Sequence, residues 1–276
     1  MKIAQVVLPG ASAYERKSQR IDLSLLAPEH EVLVVTEPRE VRGSGAQVAH
    51  IYGPSLLPSG MLQGLTVPYV ANGSLPRRRF ALRRPPQPAY VVTPLPDTEN
   101  ELLPEAVEDA YFERRAGLQP APVPSGRTYA IGSSARPGVE NSIEQTMARI
   151  DRFRDDITWH VFEHPPTPEQ LSEIDAWVDP AVSDDDFDGF TAEALVAGCA
   201  VVASRTPINL HRTEKGRTAF LVPPNDPNEA THAILAALFK PEVGAARVEA
   251  ARQTQSKFRP RQRLRILLAM YGNLVR

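Results

Sequence analysis

The sequence predicts an α/β protein with parallel β-sheets, and three observations lead to this fold class. Short apolar runs alternate with helical or turn segments through the first third of the chain, as in parallel sheets with helical crossovers. A Pro- and Ala-rich stretch, Gly117–Gly126, is the best linker candidate and is followed by another apolar run. The length of 276 residues suits one large domain or two small ones.

The first third of the chain contains five candidate strands and one candidate helix. The strands are short apolar runs, and they are Lys2–Leu8, Glu31–Thr36, Val48–Tyr52, Val67–Ala71 and Tyr90–Thr93. An amphipathic helix is predicted over Ala13–Leu26, between the first two strands. A Pro- and Arg-rich insert, Ser74–Pro88, shows no pattern to which regular structure can be assigned.

The chain after the linker candidate begins with a strand predicted over Arg127–Ile131. Further on, Thr191 is a plausible N-cap for a short helix, and Gly198 ends that helix. The residues Cys199–Ala203 form a continuous apolar run, which indicates a buried strand. No internal repeat is visible in the sequence.

Composition and charge argue against several classes of protein. The formal net charge of −2 gives no bulk reason to expect nucleic-acid binding. The single cysteine, Cys199, cannot form an intramolecular disulfide, and its place between helix and strand predicts a small core residue in a reducing cytoplasm. The apolar run Ile3–Leu8 is too short for a signal sequence, and no later stretch approaches the roughly 20 apolar residues that span a bilayer. We therefore expect a cytoplasmic protein.

The Pro- and Arg-rich insert carries a basic run with one aromatic residue, Phe80. Its arginines are Arg77, Arg78, Arg79, Arg83 and Arg84. Such a run is most often a solvated loop. It could instead draw the protein to anionic lipid headgroups at the inner membrane face, or to a phosphorylated acceptor.

The most informative stretch, Asp185–Ala203, joins an acidic loop, a short helix and a buried strand. Its sequence, DDFDGFTAEALVAGCAVVA, resembles the donor-binding segment of retaining glycosyltransferases of the family 4 type, the glycosyl transferases group 1. The likeness continues through Gly216, an apolar strand at Phe220–Val222 and a Pro-Pro-Asn-Asp turn. The helix expected next in the family fits Pro227–Lys240, and residues 259–276 resemble the family's closing helix.

The resemblance implies a GT-B fold, in which two Rossmann-like domains with parallel sheets face each other across a cleft. It is weaker in the first domain, where the matching segments are Tyr14–Arg16, His30–Thr36, His50–Pro54 and Leu103–Phe112. The expected division is a short N-terminal acceptor-side domain (1–116), a linker (117–126), a C-terminal nucleotide-sugar-binding domain (127–258) and a closing helix (259–276) that crosses back.

The resemblance also implies a donor site. Glu193 would accept hydrogen bonds from both ribose hydroxyls, because two carboxylate oxygens suit a vicinal diol. Asp185 would contact hydroxyls of the donor sugar, and the diphosphate would meet the backbone N–H groups of Asp188, Gly189, Phe190 and Thr191. The alternative interpretation is a solvated acidic loop followed by a helix-start acid that the helix dipole favours. A rival alignment places Asp188 on the family's first glutamate, but it requires a deletion of three residues.

The departing diphosphate carries negative charge that cations or oriented dipoles must stabilise. The family supplies an Arg and a Lys in a Gly-Arg-x-x-x-x-Lys-Gly pattern after the first strand of the second domain. In this sequence Gly132 is followed by Ser133 at the Arg position and by Pro137 at the Lys position, which leaves Arg136 as the nearby cation. Arg136 could take over the role, with Arg205 as a substitute, or it could be an ordinary loop arginine.

Three other family positions also differ. The phosphate-approaching Gly-Gly loop after the first strand corresponds to a segment in which Gly10 and Ser12 are the candidate substrate-binding residues. A second Gly-Gly-x-x-Glu loop corresponds to Pro207–His211, which contains no glycine and ends in histidine. Asn72–Gly73 occupies the place where the family often has a histidine near the donor sugar.

Three functions remain open on these residues. The first is a retaining hexosyltransferase that uses a UDP-, GDP- or other nucleoside-diphosphate sugar and an unknown saccharide, lipid-linked or small-molecule acceptor, in polysaccharide, lipid-linked or small-glycoside synthesis. The second is a GT-B protein without catalysis that binds sugar nucleotides or partners an active transferase, as the missing cation pair suggests. The third is a nucleotide-sugar epimerase of the same architecture. The histidines lack metal-ligand spacing, so no metal or other cofactor is expected.

Overall fold

The structure is a computed structural model that describes residues 1–53, 65, 67–72, 88, 90–93, 101–113, 128–136, 138–181 and 189–276. These residues form two compact units, one of residues 1–106 with 259–276, the other of residues 107–258. The linker candidate Gly117–Gly126, residues 74–87 of the basic insert, and both Asp185 and Asp188 lie outside the described residues. No helix in the described ranges is long and apolar enough to cross a membrane.

The first unit contains a six-stranded parallel sheet with the order β2-β1-β3-β4-β5-β6. Its strands are β1 (Lys2–Val7), β2 (Glu31–Val35), β3 (Val48–Tyr52), β4 (Tyr69–Asn72), β5 (Tyr90–Thr93) and β6 (Glu101–Leu102). Helix α1 (Ala13–Leu26) has the predicted bounds, and a short 3₁₀ turn covers Pro38–Val41. Five of the six strands were expected from apolar runs, and the two-residue strand β6 was not.

The C-terminal helix α9 (Pro260–Val275) completes the core of the first unit. One buried cluster joins strand residues from β1, β3, β4 and β5 to α9, and it includes Ile3, Val48, Val70, Val92, Leu267 and Tyr271. Strand β3 is buried along its whole length, which explains why it reads as an uninterrupted strand signal instead of an alternating pattern.

The second unit contains a five-stranded parallel sheet with the order β11-β10-β9-β7-β8. The strands are β7 (Tyr129–Ser134), β8 (Ile157–Phe162), β9 (Ala176–Asp179), β10 (Ala200–Ser204) and β11 (Phe220–Val222). The helices are α2 (Ala110–Glu113), α3 (Glu140–Ile150), α4 (Pro168–Ser172), α5 (Thr191–Ala197), α6 (Pro207–Arg212), α7 (Pro227–Phe239) and α8 (Pro241–Thr254). The α/β class with two parallel sheets is thus confirmed.

Helix α5 corrects one detail of the sequence analysis. Its N-cap is Phe190, in the left-handed conformation with φ of 51°, and Thr191 is the first helical residue. The predicted capping role of Thr191 is therefore wrong by one position, and its hydroxyl has another partner, described below. Gly198 ends the helix as expected, with φ of 80°. Cys199 is buried and its thiol donates to the carbonyl of Leu171 at 3.5 Å, which confirms a small core residue.

Candidate functional site

The candidate site lies at the carboxyl edge of the second unit's sheet. Because its strands are parallel, β7, β9, β10 and β11 all end at this edge, where ligands bind in open α/β sheets. The last residues of the first three strands are Ser134, Asp179 and Ser204. A small, open hollow at this edge is lined partly by Asp179, Ser204 and Asp226.

Asp179, at the end of the central strand β9, is the centre of this edge. Its side chain is fully buried. The guanidinium of Arg136 donates to Oδ1 at 2.5 Å, and the side-chain amide of Asn209 donates to Oδ2 at 3.0 Å. The hydroxyl of Thr191 also donates to Oδ2. One carboxylate therefore collects donors from the segment after β7, from the start of α5 and from α6.

The charge on Asp179 is maintained by its neighbours. Burial alone would raise the pKa of this carboxyl, since a low dielectric disfavours the charged form. The nearby Arg136 guanidinium, the Thr191 hydroxyl and the charge of Arg212 outweigh burial and hold the pKa below its ordinary value of 3.8. Asp179 is therefore a buried carboxylate, ionised at neutral pH and balanced by arginine.

The turn before α5 is fastened to β9 at two points. Trp177 and Asp179 are two positions apart on the strand and so point to the same face. The indole N–H of Trp177 donates to the carbonyl of Gly189 at 2.8 Å, and Asp179 accepts from Thr191. A Cβ on Gly189 would collide with the Asp179 carboxylate, which explains why this position is glycine. Phe190, between these two anchors, takes the left-handed conformation.

Two residues that the resemblance placed near the diphosphate lie inside the sheet. A Cβ on Gly132 would lie 2.7 Å from the Trp177 ring, so this glycine makes room for the indole. Ser133 is fully buried, and its hydroxyl donates to the carbonyl of Val178 at 2.8 Å. Strand β7 continues to Ser134, so that Ser133 belongs to the strand and not to the loop after it.

The two candidate cations differ in their surroundings. The side chain of Arg136 is 9% exposed, and besides Asp179 it donates to the hydroxyl of Ser134. Arg205 directly follows β10 and is exposed, while its backbone N–H donates to the carbonyl of Val222 at 2.7 Å. The guanidinium of Arg136 is thus fixed by hydrogen bonds, whereas the side chain of Arg205 reaches solvent.

Glu193 is the third residue of α5 and is 2% exposed, and every other residue of that helix is also buried. It therefore lies in the first turn of a helix whose first residue, Thr191, donates to Asp179. The structure brings Glu193, Gly189, Phe190 and Thr191 together on one short segment. Asp185 and Asp188 precede this segment and lie outside the described residues.

The segment Pro207–His211, which the resemblance matched to a loop, is helical. It forms most of α6, and Thr206 caps this helix by accepting from the backbone N–H of Asn209 at 3.4 Å. Asn209 is fully buried and donates to both Asp179 and the Ser204 carbonyl. Asn209 and Asp179, the two polar residues that link α6 to β9, were not predicted from the sequence.

The remaining candidates belong to the first unit, at the carboxyl ends of its strands. Gly10 is exposed in the turn after β1. Ser12 caps α1: its hydroxyl accepts from the Glu15 N–H at 3.2 Å, and the Glu15 carboxylate accepts from the Ser12 N–H at 2.8 Å. Asn72 ends β4 and is buried, while Gly73 lies outside the described residues. Across the described ranges no three His, Cys, Asp or Glu side chains group as a metal site.

One family model matches the part of the chain that contains this site. A family model described as glycosyl transferases group 1 matches residues 125–239, less than half of the 276-residue chain. The matched region runs from before β7 to the end of α7 and contains Arg136, Asp179, Glu193 and Asn209. No curated protein matches the sequence.

Solved structures resemble the whole chain at low sequence identity. A glycosyltransferase from Rickettsia africae ESF-5 has a TM-score of 0.71 and 13% identity, covering 100% of this chain and 98% of that one. Anabaena Alr3699/HepE in complex with UDP has a TM-score of 0.70 and 12% identity, with coverage of 99% and 100%. WaaG, a glycosyltransferase involved in lipopolysaccharide biosynthesis, has a TM-score of 0.63 and 11% identity, with coverage of 96% and 99%. These neighbours share the GT-B fold, and the fold class predicted from the sequence is confirmed.

Proposed function

We propose that this protein transfers a hexose from a nucleoside-diphosphate sugar to an acceptor, with retention of configuration. The observation that carries the proposal is the family match over residues 125–239, which coincides with the sheet whose carboxyl edge holds Asp179, Arg136 and Glu193. The similar Anabaena HepE has been solved with UDP, with UDP and glucose, and with UDP-glucose. We assign the reaction to cell-surface polysaccharide, lipid-linked or small-glycoside synthesis in the cytoplasm.

Three parts of the segment around α5 would bind the donor. Glu193 would accept from the ribose hydroxyls, and the backbone between Asp188 and Thr191 would meet the diphosphate. Asp185 would contact the sugar hydroxyls. The fastening of this segment to β9 through Trp177 supports the assignment, since donor contacts need a backbone that is held in place.

The chemical step needs compensation for the charge that grows on the leaving diphosphate. We assign this role to the guanidinium of Arg136, with Arg205 as the second cation at the same edge. Arginine suits a diphosphate because its planar fork donates two parallel hydrogen bonds to phosphate oxygens. The proposal involves no metal, and the cations that stabilise the leaving group are those of the chain itself.

The donor site can be tested with a matched pair of glutamates. Glu193 and Glu229 are both the third residue of their helices, α5 and α7, but Glu193 is buried and Glu229 is exposed. A thermal-shift panel of UDP-, GDP-, ADP- and TDP-sugars identifies the donor, because a ligand at a hundred times its Kd stabilises by about 2.7 kcal/mol. Glu193→Ala should lose this binding, since unpaired ribose hydroxyls cost about 1–3 kcal/mol, and Glu229→Ala should retain it.

Glu193→Gln is the control for folding, because it preserves the size of the buried side chain. If the folded Glu193 variants bind every sugar nucleotide as tightly as the parent, the site assignment is wrong. Binding of none of the panel by the parent protein would remove the basis for the proposed function.

A second candidate function is supported by the Arg136–Asp179 ion pair. In this function the protein binds a sugar nucleotide without transferring the sugar, or acts beside an active transferase. The observation in its favour is that the main cation of the site is already neutralised by a buried carboxylate. This function would be established if the parent protein binds a sugar nucleotide but neither transfers the sugar to any acceptor nor hydrolyses the donor.

A further inference from the structure

Asp179 contacts three segments that the chain sequence separates widely. Its carboxylate accepts from Arg136, 43 positions earlier, from Thr191, 12 positions later, and from Asn209, 30 positions later. The carboxylate is fully buried, so these contacts are made away from solvent. Hydrogen bonds to a charged group in such surroundings are stronger and more directional than those at a wet surface.

The turn from Gly189 into α5 is also held against strand β9. The Gly189 backbone packs directly on the Asp179 carboxylate, in a space that a Cβ would fill. Trp177 holds the Gly189 carbonyl from two positions earlier on β9. The turn into α5 therefore rests on two side chains of the central strand, and one of them is also the ion-pair partner of Arg136.

We propose that Asp179 is a positioning residue for donor binding: its carboxylate fixes the Arg136 guanidinium and the Gly189–Thr191 turn together, so that both meet the diphosphate in one arrangement. The inference rests on the proposed function, since it concerns the same site. Asp179 itself does not contact the donor. It acts through Arg136, whose fork is bonded to Asp179 and to Ser134 at the same time.

An opposite role for Asp179 can be stated and tested. A buried carboxylate beside a phosphate site also repels an anion and competes with it for the arginine. If competition were its main effect, removal of the charge would tighten nucleotide binding. If positioning is its main effect, the same substitution weakens binding, because Arg136 is no longer held in place.

The test is a double-mutant cycle on nucleotide affinity, with UDP and GDP as ligands in calorimetric titrations. The variants are Asp179→Asn, Arg136→Gln and the combination of both. We expect each single variant to lower the affinity for the nucleotide about tenfold. The combined variant should bind the nucleotide no more weakly than Arg136→Gln does, because residues in direct contact act as a unit. Losses that multiply to about a hundredfold in the combined variant would show independent roles and overturn the proposal.

A matched control lies next to the other end of the same strand. Asp175 directly precedes β9, and its carboxylate accepts from the Ala130 N–H at 3.0 Å. Asp175→Asn should therefore leave nucleotide affinity unchanged, even if the unfolding temperature falls. A merely structural role for Asp179 would give the same result: a lower unfolding temperature with unchanged affinity in the folded protein. That result, or tighter binding by Asp179→Asn, contradicts the proposal.

Arg136→Lys tests the same contact if Asp179→Asn does not fold. Lysine retains the charge but lacks the fork that reaches both Asp179 and Ser134. We expect nucleotide affinity to fall about tenfold, and undiminished affinity would overturn the proposal. A parent that binds no nucleotide ends the proposed function, whereas a parent that binds while Asp179→Asn behaves like Asp175→Asn ends only this one.

Discussion

The guanidinium of Arg263 donates to both carboxylate oxygens of Asp22, at 2.5 Å and 2.8 Å, across 241 positions of sequence. Both side chains are buried, with exposed fractions of 1% and 0%. The Tyr52 hydroxyl donates to the same carboxylate at 2.7 Å, and Arg263 also donates to the Pro104 carbonyl at 3.0 Å. This network fastens α9 to α1 and explains how the end of the chain belongs to the first unit.

Loss of Arg263 should strongly destabilise the first unit. Arg263→Met leaves the Asp22 carboxylate buried without its cation, which costs about 3–5 kcal/mol in comparable pairs. Arg265→Met, on the exposed side of the same helix, should change stability by less than about 0.5 kcal/mol. Urea unfolding followed by circular dichroism measures both, and equal stability of the two variants would show that the buried pair contributes little.

His50 gives the first unit a specific response to acid. It lies fully buried beside Asp22 and Arg263, with Nδ1 2.6 Å from the Tyr271 hydroxyl and its ring stacked on Tyr52. Burial lowers the pKa of His50 from its ordinary value of 6.5 to about 4. Asp22 raises this pKa and Arg263 lowers it further, but burial is the main cause.

The sign of the effect follows from proton binding. Between pH 6.5 and pH 4 the unfolded chain protonates His50 and the native protein does not, so stability falls as the pH falls through this window. The free energy of unfolding falls by about 3 kcal/mol across this window, because each unit of pKa difference is worth about 1.4 kcal/mol. We expect His50→Asn to lack this part of the pH dependence and His232→Asn, at an exposed position, to retain it. Parallel stability profiles for the parent and His50→Asn would show that His50 is not the group responsible.

A glycine in β7 is predicted to be required for packing. Gly132→Ala would bring a Cβ to 2.7 Å from the Trp177 ring, and overpacking of this kind costs about 1–3 kcal/mol. Gly272→Ala is the comparison, because a Cβ there meets nothing within 4 Å and alanine favours the helix by up to about 1 kcal/mol. Thermal unfolding should therefore shift in opposite directions for these two variants. A neutral Gly132→Ala would mean that the indole can move aside without cost.

Much of the fold could be predicted because it depends on local patterns. Strand β3 and helix α1 have the predicted bounds. A short, largely apolar run marks β3, and helical periodicity after a capping box marks α1, and both signals act over a few neighbouring residues. Strand β6 was missed because Glu101–Leu102 is too short to show a period. Residue preference predicted Thr191 as the N-cap. In the structure the Thr191 hydroxyl donates to the Asp179 carboxylate, and the N-cap is Phe190.

The candidate site was harder to predict because its contacts join distant positions. Asp179 ends an apolar run and precedes a proline, and nothing nearby indicates that its partner Arg136 is 43 residues earlier. Ser133 was placed on the family's arginine position, whereas the strand continues through it and its hydroxyl serves the sheet. The one signal for Asp179 in the sequence is that this charged residue directly follows a short apolar run.

The final prediction separates an active transferase from a binder. If the protein is active, Arg136 interacts more strongly with the leaving diphosphate in the transition state than in the ground state. Arg136→Gln should then lower kcat about 100-fold, the scale seen for loss of one oxyanion donor, with a smaller effect on donor affinity. Glutamine is preferred to alanine because it leaves a donor near the buried Asp179 carboxylate.

Arg205→Ala is the matched comparison, since Arg205 lies at the same edge but is exposed. We expect the larger fall in turnover from Arg136→Gln, because its guanidinium is held by Asp179 and Ser134 and needs no ordering when charge develops. A larger fall from Arg205→Ala, measured as sugar transfer or hydrolysis with the donor found in the binding panel, would assign the leaving-group role to the exposed arginine. A parent that binds the donor but turns over none of it, with any acceptor, would leave Arg136 a role in binding alone.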